Sequence, residues 1–169
     1  MIMSMPALAV AFAGLVPLMI YTIWTDVTAL RIPNLVVLAI FVVFLGTGSW
    51  GLPLEEFAGR VAQGVVVFFI AYLVFEVSKG QMGGGDLKFI AAFAPFVPAE
   101  RAIEAILIYA VLSLATALVF VLLRLALGKR ETGLRAFDQE LGWKFRIPVG
   151  VTLAITVLIF VGSELAAVA

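Results

Sequence analysis

Two aspartates stand out among the residues able to do chemistry. Asp26 opens the run Asp26-Val27-Thr28-Ala29-Leu30-Arg31-Ile32-Pro33-Asn34. Asp86 follows Gly83-Gly84-Gly85 and precedes Leu87-Lys88. Both border long apolar stretches, where a carboxylate is costly and tends to mark function. Two carboxyls held about 3 Å apart cannot both ionise easily, so they share a proton. One can then take a proton from water while the other gives one to a carbonyl oxygen. That is peptide hydrolysis by acid–base chemistry alone. Each aspartate also has a plain structural reading. Asp86 could cap a helix after a glycine turn; Asp26 could end a helix paired with Arg31 or a nearby Lys. The helix dipoles favour the anion of Asp86 at a helix start and disfavour that of Asp26 near a helix end. On that reasoning the shared proton rests mainly on Asp26.

The composition removes the competing chemistries. The 169 residues contain no His and no Cys. There is therefore no thiol nucleophile, no Ser–His pair, no imidazole or thiolate metal site and no disulfide framework. No cofactor and no metal is expected. Lys and Arg total 11 and Asp and Glu total 11, which leaves no basic surplus to attract nucleic acid. The chain is 64% apolar and 13% charged. Soluble domains are about 45–50% apolar and about 25% charged, so both figures point to a membrane protein. The length allows one domain, over residues 1–169.

The aspartates must be carried by membrane helices, each needing about 20 apolar residues. Candidate spans run from about Met5 to Trp24, Pro33 to Trp50, Phe57 to Val77, Ile103 to Leu125 and Ile147 to Val161 or beyond. Another, Leu87 to Val97, is short and ends among Pro95 and Pro98. It either re-enters or crosses with a kinked continuation. The basic residues favour crossing. With six alternating spans, Arg31, Lys79, Lys88, Arg124, Lys129, Arg130, Arg135, Lys144 and Arg146 share one side. Only Arg60 and Arg101 fall on the other. A re-entrant segment would blunt this nine-to-two split to seven-to-four. The positive-inside rule prefers the sharper asymmetry. The expected fold is all-α and polytopic, with about six transmembrane helices, the fourth short. Both termini are expected outside, and Asp26 and Asp86 on the cytoplasmic face.

Local pairs account for other acids. Glu104 follows Arg101 by three residues, and Lys79 follows Glu76 by three, so one helical turn can join each pair. Pro33 suits the first position of the second helix, where its missing N–H costs nothing. Gly83-Gly84-Gly85 lets the backbone adopt positive φ and approach a neighbour closely. The polar stretch 128–146 is read either as an amphipathic segment on the inner leaflet or, more simply, as a solvated connection.

Taken together, the Asp26 to Ile32-Pro33-Asn34 run and the Gly83-Gly84-Gly85-Asp86-Leu87-Lys88 run resemble the two signature segments of the prepilin peptidases. These are membrane aspartic proteases of the GxGD type. Arg146-Ile147-Pro148-Val149-Gly150 is similar to the Pro-Gly segment that opens that family's last span. The resemblance covers essentially the whole chain. It implies removal of a short basic leader from a pilin-like precursor, just before the precursor's hydrophobic helix, at the cytoplasmic face of a bacterial inner membrane. It implies Asp26 and Asp86 as the catalytic pair, Gly83 and Gly85 as motif glycines, and Pro33, Asn34 and Lys88 as motif or supporting residues. Larger members carry an additional segment with paired cysteines and also N-methylate the product. The absence of Cys makes this chain similar to the short, protease-only form of Flp or tight-adherence pilus systems. A different class of function uses the same carboxylates as relays in a small proton-coupled transporter. Transporters often contain two related halves, and no repeat is visible here.

Overall fold

The computed structural model describes residues 3–78, 83–127, 132–139 and 147–168, and among these the chain is all-α. The helices are α1 (Met5–Ala29), α2 (Asn34–Gly51), α3 (Leu54–Val77), α4 (Gly84–Phe93), α5 (Ala102–Leu127) and α6 (Val149–Val168). Single 3₁₀ turns, Ala94–Phe96 and Ala99–Arg101, join α4 to α5. Five of the helices, all but α4, are long and apolar enough to cross a membrane. Pro33 lies one position earlier than the sequence suggests. It is the residue before α2, and its carbonyl accepts the N–H of Val36 at 3.0 Å.

The core is built from stripes at helical spacing. On α1 the buried positions are Ala7, Leu8, Ala11, Leu15, Met19, Thr22 and Asp26; apart from Leu8, each follows the last by three or four residues. Asp26 thus continues an apolar stripe and is carried inward by it. That stripe packs against α2, through residues such as Val36, Ile40 and Phe44, and against α6, through Ala154, Val157 and Val161. Large side chains such as Ile20, Trp24, Leu73, Leu114 and Leu118 point outward and are exposed. In water such a surface would drive aggregation; in a bilayer it is the surface lipid requires.

Helix α4 contains ten residues, about 15 Å of rise, against a hydrocarbon core of about 30 Å. It begins at the end of the bundle that holds Asp26 and finishes about two turns inside α3. Pro95 lies so close to Gly64 that a Cβ there would come within 2.7 Å of the proline ring. The prolines end the helix and strand carbonyls at membrane depth, where an unpaired carbonyl is costly. Side chains of α3 satisfy them. Gln63 Nε2 donates to the carbonyls of Ala94 at 2.9 Å and Val97 at 3.0 Å. Buried Arg60 reaches the carbonyl of Pro95 at 3.4 Å and is held by Glu56 at 2.9 Å. The short helix, two 3₁₀ turns and these caps carry the chain from one end of the bundle to the other.

At that far end Arg101 bonds Glu104 through Nε at 2.7 Å, the pair expected from their spacing. It also pairs with Glu164 of α6 and lies 5.0 Å from the centre of the Phe160 ring. Lys79, the expected partner of Glu76, lies outside the described residues. Of the polar stretch 128–146, residues 132–139 are described; Thr132, Gly133, Arg135 and Asp138 are exposed, while the middle of the segment packs on the bundle. Ala136 is buried, and Phe137 stacks on Phe120 with ring centres 4.9 Å apart. The N–H groups of Ala136 and Arg135 donate to the carbonyls of Val27 and Thr28, at 3.0 and 3.4 Å. The last carbonyls of α1 have no partner within the helix, and this segment supplies one. The remainder of that stretch, including Trp143 and Arg146, lies outside the described residues.

Candidate active site

Asp26 lies in the last turn of α1 and is 4% exposed. The chain leaves the helix at Leu30, the one non-glycine residue with positive φ (53°) among those described. The N–H of Leu30 closes back on the carbonyl of Asp26 at 2.9 Å. The side chain of Asp26 points the other way, into the start of α6. Its Oδ2 accepts the N–H of Val151 at 3.2 Å, and the N–H of Gly150 also acts on the carboxylate. A Cβ on Gly150 would stand 2.9 Å from both Cγ and Oδ2 of Asp26. No ion pair to Asp26 occurs among the described residues, so the reading of a helix-end residue paired with Arg31 does not hold there.

Asp86 is the third residue of α4 and is half-buried. It is not the N-cap; Gly83 is, and no side-chain capping bond forms. The carboxylate folds back over Gly83, so that a Cβ there would stand 3.2 Å from Cγ and collide with Oδ2. Gly85 faces Ile32, whose Cβ would be 3.3 Å from a Cβ on that glycine and whose carbonyl oxygen would be 3.4 Å away. These glycines serve close approach, not left-handed backbone. The one glycine with positive φ among the described residues is Gly133.

The Ile32–Gly85 contact brings the two signature runs together. Leu30 turns the chain, Arg31 is exposed, and Ile32 is buried against the first turn of α4. Pro33 then starts α2, whose first residue, Asn34, accepts a hydrogen bond from Lys88 Nζ at 3.3 Å. Lys88 therefore ties α4 to α2 on the side away from Asp86. The result places Asp86 within electrostatic range of Asp26, close enough for the two charges to repel.

The arrangement can do acid–base chemistry on a bond placed between two carboxyls. The dipole reasoning for the shared proton omitted α6. Asp26 ends α1 but faces the N-terminus of α6, where N–H groups favour an anion. Asp86 accepts no hydrogen bond on its carboxylate among the described residues. Gly150 and Val151 are the residues that inspection of the first two segments misses; the Pro148-Val149-Gly150 run is their signal in sequence. On the lipid side, a groove of about 320 Å³ lies between α3 and α5, lined by Ile90, Phe93, Ile106 and Leu153 among others. Ile90 and Phe93 follow Asp86 by four and seven residues and share its face of α4.

A family model described as the type IV leader peptidase family matches residues 13–126, which include both aspartates and all three glycines before Asp86. No curated protein and no solved structure matches the chain.

Proposed function

Because the chain belongs to the type IV leader peptidase family, we propose that it removes the basic leader of a pilin-like precursor, with Asp26 and Asp86 as the catalytic pair. The observation that carries this reading is the contact of Gly85 with Ile32, which brings the two aspartate-bearing runs, 60 residues apart in sequence at Asp26 and Asp86, to one end of a membrane bundle. One carboxylate takes a proton from water as the water oxygen attacks the scissile carbonyl carbon. The other carboxyl gives its proton to the carbonyl oxygen. Collapse of the tetrahedral intermediate breaks the C–N bond: the amine leaves with the proton first taken from water, and a hydroxyl of the intermediate returns a proton to the second carboxylate, which restores the pair. Both groups are Asp, so no cofactor enters the balance.

The charge distribution supports an orientation. Six alternating spans put nine of the 11 basic residues of the sequence on the side of the aspartates, which favours the cytoplasmic side of a bacterial inner membrane. The leader is then cut where it leaves the bilayer, and the precursor's apolar helix stays in lipid. The groove supports that placement, since its lining is mostly apolar and its Ile90 and Phe93 share the face of α4 that carries Asp86. Lacking Cys, the chain fits the short, protease-only form, as in Flp-type pilus systems.

Co-expression with a candidate prepilin tests the proposal. The precursor should shift on a gel by the mass of its leader when the wild-type chain is present. A precursor that stays full-length beside correctly inserted wild-type protein contradicts it.

A further inference from the structure

The start of α6 lies beyond the residues matched by the family model, yet it donates a hydrogen bond to the Asp26 carboxylate and leaves no room for a side chain beside it. We propose that the N-terminal turn of α6 sets the division of labour in the pair: its backbone N–H groups hold Asp26 ionised, as the base that activates water, and leave Asp86 to carry the proton. Gly150 and Val151 are positioning residues in this account. They orient and charge Asp26. The inference rests on the dyad reading above and adds to it which carboxyl does what.

Three observations carry it. The first is the Val151 N–H bond to Oδ2, a donor fixed by helix geometry and therefore already aimed before the reaction. The second is the absence of a side chain at residue 150. Any Cβ there would press on Cγ and Oδ2 at 2.9 Å and push the carboxylate off the helix end. The third is Pro148, buried just before the helix. It has no N–H, so the free donors of the first turn begin with the residues beside Asp26. Among the described residues no charged group bonds Asp26: Arg124 of α5 donates to the carbonyl of Gln139, and Arg31, Arg135 and Asp138 are exposed. Helix α2 contains no ionisable residue. The only one on α6, Glu164, is at the far end beside Arg101. On α4, Lys88 bonds Asn34, which leaves Asp86 as the group that acts on Asp26.

Gly150→Ala tests the geometry. The displaced carboxylate should lower kcat/KM for precursor cleavage by about 100-fold. Loss of the donors makes the ionised base less favourable, so more alkaline conditions are needed to form it. The acidic limb of the pH–rate profile should rise by about one pH unit. Gly162→Ala, on the same helix, is the control. A Cβ there meets Phe12 at an ordinary 3.5 Å, and both readouts should stay at wild-type values. A merely structural role for Gly150 would lower the amount of inserted protein and leave the acidic limb where it is. An inserted Gly150→Ala protein with an unmoved limb overturns the proposal.

A second measurement does not depend on that variant folding or on any substrate. The chain has three aspartates, Asp26, Asp86 and Asp138. Infrared spectra of the ¹³C-aspartate-labelled protein in vesicles, assigned by difference with Asp26→Asn and Asp86→Asn, should show Asp86 protonated and Asp26 ionised at neutral pH. The reverse assignment overturns the proposal. Failure of the wild type to cut any precursor would instead count against the peptidase reading and leave these spectra interpretable.

Discussion

Asp26→Asn and Asp86→Asn each reduce leader removal by about 10⁴-fold or more, with the variants present in the membrane at wild-type levels. The size follows from the chemistry. Asparagine is nearly the same shape as aspartate, and its carbonyl oxygen can still accept the Val151 N–H bond that Asp26 accepts. It can neither take a proton from water nor deliver an acidic one. The bundle therefore keeps its packing and loses one half of the reaction. The two substitutions together should cost little more than either alone, because members of one catalytic unit are strongly non-additive. Gel-shift assay of a co-expressed precursor, with immunodetection of the variants in washed membranes, measures this. Normal processing by either inserted variant excludes the dyad.

The second large effect is on stability and lies at the opposite end of the molecule. Glu164 is 3% exposed, and its Oε2 has no hydrogen-bond partner among the described residues. Its other oxygen pairs with Arg101, which also binds Glu104 and covers the Phe160 ring. Removing the cation leaves an anion buried between α5 and α6. Breaking one side of a buried pair costs about 3–5 kcal/mol. Removing the anion instead leaves Arg101 still paired with Glu104 near the surface, so Glu164→Gln should cost much less. Arg101→Met should therefore lower the detergent-solubilised melting temperature far more than Glu164→Gln. Cleavage by either protein, below its transition, should match wild type, because the dyad is at the other end. Equal, small shifts for both variants would show that the pair contributes nothing.

The features most legible in the sequence are those set by composition over a helix length. Five long apolar runs become five long helices; the ends expected at Trp50 and Val77 fall within one residue of the observed ends, whereas α1 continues five residues past Trp24 and α6 seven past Val161. Asp26 and Asp86 stand out because a carboxylate beside such a run is expensive. The short fourth segment is flagged by Pro95 and Pro98, but its caps are not. Nothing local to Gln63 announces that its amide closes carbonyls 31 and 34 residues away. The Asp26–Val151 bond joins residues 125 apart, so periodicity and turn signals are silent about it. For the same reason the dipole argument was incomplete: it counted each aspartate's own helix and not the helix it faces. Lys88 shows an intermediate case. Its place in the motif is visible, but its contact with Asn34 depends on how α4 lies against α2.

Cleavage by the purified chain alone tests the central claim most directly. The wild-type protein is reconstituted in lipid vesicles with a synthetic precursor carrying its leader and apolar helix, in buffer containing a strong chelator, and the products are weighed by mass spectrometry. The account predicts two fragments whose masses sum to the precursor plus one water, cut just before the apolar helix, at a rate the chelator does not change. An intact precursor beside folded, inserted protein, or cleavage that stops when the chelator is added, would contradict it.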